Sequence, residues 1–230
     1  MIDLKVNPPS QGAEPGKSLK EQNRWQLWIV VAANSLFLYG VVEANAIRID
    51  GLRAIFTDSS NLLPVGFAVV IATVLNSLLS PEAKARVVFF RWHHALPGHR
   101  AFTHHANSDP RIDIASLVSS HGRAFPVDPL AQNRAWYRIY KTVENETAVR
   151  QVHRDYLLLR DYCGLCVLFI AFYGAAGVYA IRSARVATLY ILLLILQYGV
   201  VRLAASNSGI RLVTTVLAQA AAVGPNNAGQ

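Results

Sequence analysis

The sequence predicts an all-α integral membrane protein: four transmembrane helices in two pairs (2+2), with a small α-helical cytoplasmic domain inserted between the second and third spans. Three observations carry this reading. Of the 230 residues, 53% are hydrophobic and only 16% charged, against about a quarter charged in a soluble domain. Four segments stay apolar over the roughly 20 residues that a helix needs to cross a bilayer core. The cations are segregated between connectors as the positive-inside rule requires. The expected boundaries are 1–24 for a loose cytoplasmic tail, 25–80 for the first pair, and 81–162 for the cytoplasmic domain. The second pair follows at 163–205, then a cytoplasmic amphipathic segment with a loose end at 206–230.

The first span, 25–43, opens with Trp25 and Trp28, side chains suited to a membrane interface. The second, 62–80, carries Pro64 near its start, where a helix tolerates it, and Asn76 near its other end. Small residues, among them Gly164, Gly174 and Gly177, mark the third, 163–181, as a helix packed closely on protein. The fourth, 187–205, holds an unbroken Leu192-Leu193-Leu194-Ile195-Leu196 run. Asn34, Asn76 and Gln197 are expected to form hydrogen bonds between helices.

Twelve Lys and Arg lie in the central segment, four in the tail and two in the C-terminal region. Each of the two outer connectors has two: Arg48 and Arg53, then Arg182 and Arg185. Only one orientation satisfies the positive-inside rule, with both termini and the central segment cytoplasmic. The formal net charge of +8 is thus read as topology, and stable DNA binding is not expected. Arg202 is placed to snorkel at the inner end of the last span. The polar N-terminal stretch shows no secretory signal pattern, so the expected location is the cell inner membrane, multi-pass. The Asp50-Gly51 pair suggests a short hairpin over 46–53. The Ser206-Asn207-Ser208-Gly209 run is expected to end the last span. Beyond it, 210–223 is apolar but too short to cross, leaving it to lie at the interface or dock on the central segment.

In the central segment, Ser80-Pro81-Glu82 reads as a helix start carrying 83–92 away from the membrane, with Leu96-Pro97-Gly98 as its breaker. Asp109-Pro110 and Asp128-Pro129 are read as two more starts of the same kind. The first would end near Gly122. The second would align Leu130, Trp136, Tyr137, Tyr140 and Val143 along one side. Asn145 is expected to cap a last helix bearing Val149, Val152, Tyr156 and Leu159. No Gly or Pro separates it from the third span, so one continuous helix should run from about residue 146 into the bilayer.

All seven histidines fall between His93 and His153. Trp92, His93, His94, His99, Arg100, Phe102, His104, His105 and Arg111 together form a candidate anion-binding surface. Arginine offers forked donors to phosphate, and aromatic faces stack on bases. The ligand would be nucleotide-like or a lipid headgroup, although no Walker-type phosphate loop is present. His153, Tyr156 and Arg160 mark the helix that would couple such an event to the third span. Arg160-Asp161 reads as a local ionic collar.

The alternative is a histidine-ligated membrane metalloenzyme. His94-x4-His99 resembles the first histidine box of membrane desaturases and hydroxylases, and His104-His105 their later double histidine. That resemblance implies a transition metal held by His94, His99, His104 and His105. The sequence departs from it in having no His-x-x-His-His and no histidine after the fourth span. Otherwise no cofactor is implied. Cys163-x-x-Cys166 begins a span with no redox-fold pattern around it and reads as close packing. No nucleophile elbow or acid–base pair stands out, so the chain is read as non-enzymatic. The spans lack the buried charges of an ion-coupled transporter, while a pore would need several copies. The two-plus-two plan looks like small bacterial membrane effectors and sensors, which implies signalling or defence. Expected partners are the lipid bilayer, further copies of the chain, and a cytoplasmic protein or nucleotide-like anion.

Overall fold

The computed structural model describes residues 19–50, 70–71, 74–121 and 124–223, and these are all-helical, with no strand among them. Helix α1 spans Leu19–Asp50. Its buried positions Val31, Asn34, Leu38 and Val42 recur every three or four residues, with Asn23 two turns before them, so they form one stripe. Trp25, Trp28 and Leu36 lie exposed. The helix runs through Ala46 and continues to Asp50. The hairpin expected over 46–53 is therefore overturned to that point. A helix already satisfies its own backbone groups, which leaves none free for strand pairing. Residues 51–53 lie outside the described residues, as do the tail before Leu19, Pro64 with most of the second predicted span, and the chain end after Val223. Within 62–80, residues 70–71 and 74–78 are helical.

Helix α2 covers Pro81–Phe89, and Ser80 caps it, its hydroxyl accepting from the Ala83 N–H at 3.1 Å. It stops three residues before the expected end. Phe90 turns into the left-handed region at φ 51°, so Leu96-Pro97-Gly98 does not break it. Those residues instead open a run of short helical turns, tight at Pro97–Arg100 and Ala106–Ser108 and wide at Ala101–His105 between them.

Helix α3, Ile114–His121, begins four residues later than the Asp109-Pro110 reading predicts. Asp113 is the acid that caps it, accepting from the Ser116 N–H at 3.1 Å. Asp109 is already engaged by the Arg111 backbone and guanidinium. Helix α4, Pro129–Val143, starts as expected, with Asp128 accepting from the Ala131 N–H at 2.8 Å. Its buried face is Gln132, Ile139 and Val143. Leu130 and Tyr137 stand exposed, which corrects the side assigned from spacing: Gln132, a polar residue, holds the inward position.

Helix α5, Thr147–Leu168, passes through a wider turn at Phe169–Tyr173 into α6, Gly174–Ala180. The expected continuity holds. Glu146 rather than Asn145 occupies its cap position, without a side-chain bond. After residues 181–183 the chain reverses into α7, Ala184–Val223, a single helix of 40 residues. At 1.5 Å per residue it is about 60 Å long, twice the bilayer core. The break expected at Ser206-Asn207-Ser208-Gly209 does not occur. Ser208 and Gly209 are buried there, and a Cβ on Gly209 would lie 2.8 Å from Phe89 Cζ and 2.9 Å from Tyr156 Cε2. Glycine permits this three-helix approach rather than a turn.

Among the described residues, three helical stretches are long and apolar enough to cross a membrane: Glu21–Ala44, Thr147–Ala180 and Ala184–Ala222. One apolar core joins α1, α5, α6 and the first half of α7, through Val31, Leu38, Phe169, Tyr173 and Tyr190. The other joins the central segment to α5 and the second half of α7, through Val88, Ile139, Val149, Val213 and Leu217. Residues 210–223 thus dock on the central segment, one of the two fates expected for them. Of the polar span residues, Gln197 bonds Tyr162 Oη across helices at 2.8 Å. Asn34 bonds Val30 O within its own helix, and Asn76 sits against Gly164, whose Cβ would meet its Oδ1 at 2.9 Å.

Gly209→Ala should therefore destabilise the detergent-solubilised protein by about 1–3 kcal/mol, as overpacking does. Gly199→Ala, with nothing within 4 Å of the added carbon, should be neutral or slightly stabilising. Urea unfolding followed by circular dichroism separates the two. Equal effects would refute the close approach.

Candidate anion-binding surface

The basic stretch from Arg91 to His105 is shaped by two left-handed residues, Phe90 (φ 51°) and His94 (φ 52°). Each costs roughly 1–2 kcal/mol in a residue with a side chain, so packing elsewhere must hold the bend. Gln132 supplies part of that. Its Oε1 accepts from the Phe102 N–H at 3.1 Å, the Thr103 N–H at 3.2 Å and Thr103 Oγ1 at 3.2 Å. Its Nε2 donates to Val127 O at 2.7 Å. One buried amide thereby satisfies donors at the start of a turn that no regular helix precedes. Phe102 stacks on Phe125 at 4.0 Å between ring centroids.

On this frame the predicted residues divide. Trp92, at 80% exposure, stands in the open with His93, His94, Arg100 and His104. His99 and His105 are buried. The rings pair edge to face, His94 with His99 and His104 with His105, each at 5.2 Å. Among the described residues no group of three or more His, Cys, Asp or Glu is arranged to hold a metal ion. Cys163 and Cys166 are free and buried in the core. Arg111 stands apart from the stretch, with its fork directed at Asp109: Nε to Oδ1 at 3.0 Å and Nη2 to Oδ2 at 2.7 Å. That pairing holds the Asp109 carboxyl below its usual range.

The arginines supply the permanent charge. Burial, then the neighbouring Arg100, lowers the Arg91 guanidinium from its ordinary value. Burial, then His94, lowers His99. Burial, then His104, Arg91 and Arg100, brings His105 down to about 4. Arg91 Nη1, His99 Nδ1 and His105 Nε2 are all buried without a hydrogen-bond partner. Such atoms are few in native structures, and three of them fall in this one stretch. Arg91 was missed from sequence; its signal is its place two residues beyond the Val87-Val88-Phe89 end of α2 and next to Trp92.

The coupling residues connect this surface to the long helices. His153 Nδ1 and Tyr140 Oη lie 3.0 Å apart, joining α5 to α4. Tyr156 packs under the Arg160 guanidinium, 5.9 Å from the ring centroid. The local ionic pairing read at Arg160-Asp161 is present. Both are buried, and Asp161 Oδ1 accepts from Arg160 Nη2 at 3.0 Å and from Lys84 Nζ at 3.1 Å. Lys84 escaped the sequence reading because it is 77 residues away. Its position four before Val88, on the buried face of α2, is the signal that was available.

Acidification should weaken the fold through His105. Above pH 6.5 both folded and unfolded forms are neutral. Between 6.5 and about 4 the unfolded chain takes up a proton that the folded one refuses, so stability falls with pH across that window. Thermal unfolding in detergent at pH 7.5, 6.0 and 5.0 should show this loss, and His105→Phe should reduce the slope. Parallel slopes in wild type and variant would contradict it.

No family model, no curated protein and no solved structure matches this chain.

Proposed function

We propose that the chain is a multi-pass protein of the cell inner membrane with four spans in a two-plus-two plan and both termini cytoplasmic. Its basic, histidine-bearing unit binds a nucleotide-like anion or an acidic partner. That event passes into the membrane through α5, in the manner of a sensor or effector that works as an oligomer. The observation that carries this reading is the shared carboxylate of Asp161. Through Lys84 it links α2, which ends at the basic stretch, to the helix that continues into a candidate span. A displacement of α2 by a bound anion would therefore act directly on α5. Three orphaned buried donors or acceptors in the basic stretch give an anion something to satisfy.

The test uses the full chain in lipid nanodiscs, with ATP and inorganic tripolyphosphate as probes. Saturable change in Trp92 emission, absent in Trp92→Phe, reports binding. Altered hydrogen exchange over Phe169–Tyr173 reports coupling. Leu158→Pro removes a helical hydrogen bond and kinks α5. It should leave the emission change in place and abolish the exchange response. An unchanged exchange response in Leu158→Pro, or no saturable effect of either anion on the wild type, would refute the proposal.

A further inference from the structure

A groove of about 510 Å³ opens between the end of α2 and the long helices α5 and α7. Its wall is apolar, formed by Val87 and Phe90 with Val167 of α5 and Tyr198 of α7. Tyr198 Oη donates to Val87 O at 3.0 Å, which fixes the distance between the two sides. The rim is cationic. Arg86 and Arg91 line it, and the Arg202 guanidinium lies over the Phe90 ring at 3.9 Å.

The balance of charge decides what such a groove suits. Glu82 is the acid paired at this rim, 3.6 Å from Arg86, and both are about half exposed. Arg91 Nη1 and Arg202 Nε are buried with no hydrogen-bond partner. The wall also belongs to candidate spans: Val167 lies in Thr147–Ala180, and Tyr198 and Arg202 in Ala184–Ala222. Phe90 and Trp92, both exposed, are aromatic side chains of the kind that settle at headgroup depth. A small soluble anion has no use for the apolar wall, and a lipid without net negative charge leaves the arginines uncompensated.

We propose that this groove holds an anionic phospholipid, with an acyl chain along Val87, Val167 and Tyr198. Its phosphate is met by Arg91 and Arg202, with Arg86 at the outer edge. Forked arginine donors and a membrane-facing apolar wall are together what such a headgroup and chain require. The site shares Arg91 with the basic stretch, but it depends on the chain lying in a bilayer and not on any coupling through α5, and the basic turns beyond Trp92 take no part in it.

The test is native mass spectrometry of the full chain in detergent, titrated with phosphatidylglycerol or phosphatidylcholine of the same acyl composition. Phosphatidylglycerol should bind at least about tenfold more tightly: both lipids carry the phosphate, but the choline ammonium of phosphatidylcholine is repelled by the same arginines. Arg91→Gln/Arg202→Gln should remove that preference, and Arg138→Gln, on an exposed position of α4, should keep it. Excess inorganic phosphate should not displace the lipid. Equal binding of the two lipids, or a preference surviving in the double variant, would overturn the proposal. So would displacement by phosphate, which would make the occupant a free anion. Should the double variant misfold, a photoreactive phosphatidylglycerol on wild-type protein decides: crosslinks within 83–92 support the site, and crosslinks confined elsewhere refute it.

Discussion

The Asp161 carboxylate, buried between Lys84 and Arg160, is the interaction on which the arrangement depends. An ion removed from water loses several kcal/mol of solvation, and only well-placed partners offset that loss. Here one oxygen receives donors from two cations on two helices. Arg160 comes from the same helix and is present whether or not α2 has docked. Lys84 is not. The carboxylate is therefore fully paired only when α2 lies against α5, and α2 in turn sets where Phe90, Arg91 and the basic turns begin. The position of the candidate anion surface and the shape of the lipid-facing groove both follow from one ion cluster.

Helix α7 supplies the other half of the frame. Its first half exposes Leu192, Leu193, Ile195 and Leu196 while burying Tyr190 and Leu194, as a helix packed on one side and facing hydrocarbon on the other would. Its second half buries Leu212, Val213, Val216 and Leu217 beneath the central segment. Because no break intervenes, the two cores share one rigid element, and the central segment is fixed to the apolar helices along its length. Gly209 sits where Phe89 and Tyr156 both press on that element. The small side chain there serves contact.

What could be read from the sequence follows the range of the forces involved. Apolar length and local capping are near-neighbour effects, so the long helices and the caps at Ser80 and Asp128 were legible. So was the continuity of α5 into an apolar stretch. The failures have a common cause. Asp109 has a cap-like local context, yet Arg111 engages it first and leaves Asp113 to cap α3. Ser206 to Gly209 reads locally as a stop, yet packing from two other helices makes it continuous. Gln132 and Lys84 look like surface residues until partners 30 and 77 residues away are known. Of the candidate site, the residue types and their crowding were legible. The burial of His99 and His105 beside exposed His93, His94 and His104, and the role of Arg91, were set by tertiary contact.

A double-mutant cycle on Lys84 and Asp161 tests the central claim most directly, with unfolding free energies of the detergent-solubilised full chain as the readout. Lys84→Met and Asp161→Asn should each destabilise by about 3–5 kcal/mol, as removal of one partner from a buried pair does. The double variant should lose clearly less than their sum, with a coupling of at least about 1 kcal/mol. Strictly additive effects would mean that the two groups do not hold each other, and that α2 is docked by its apolar face alone.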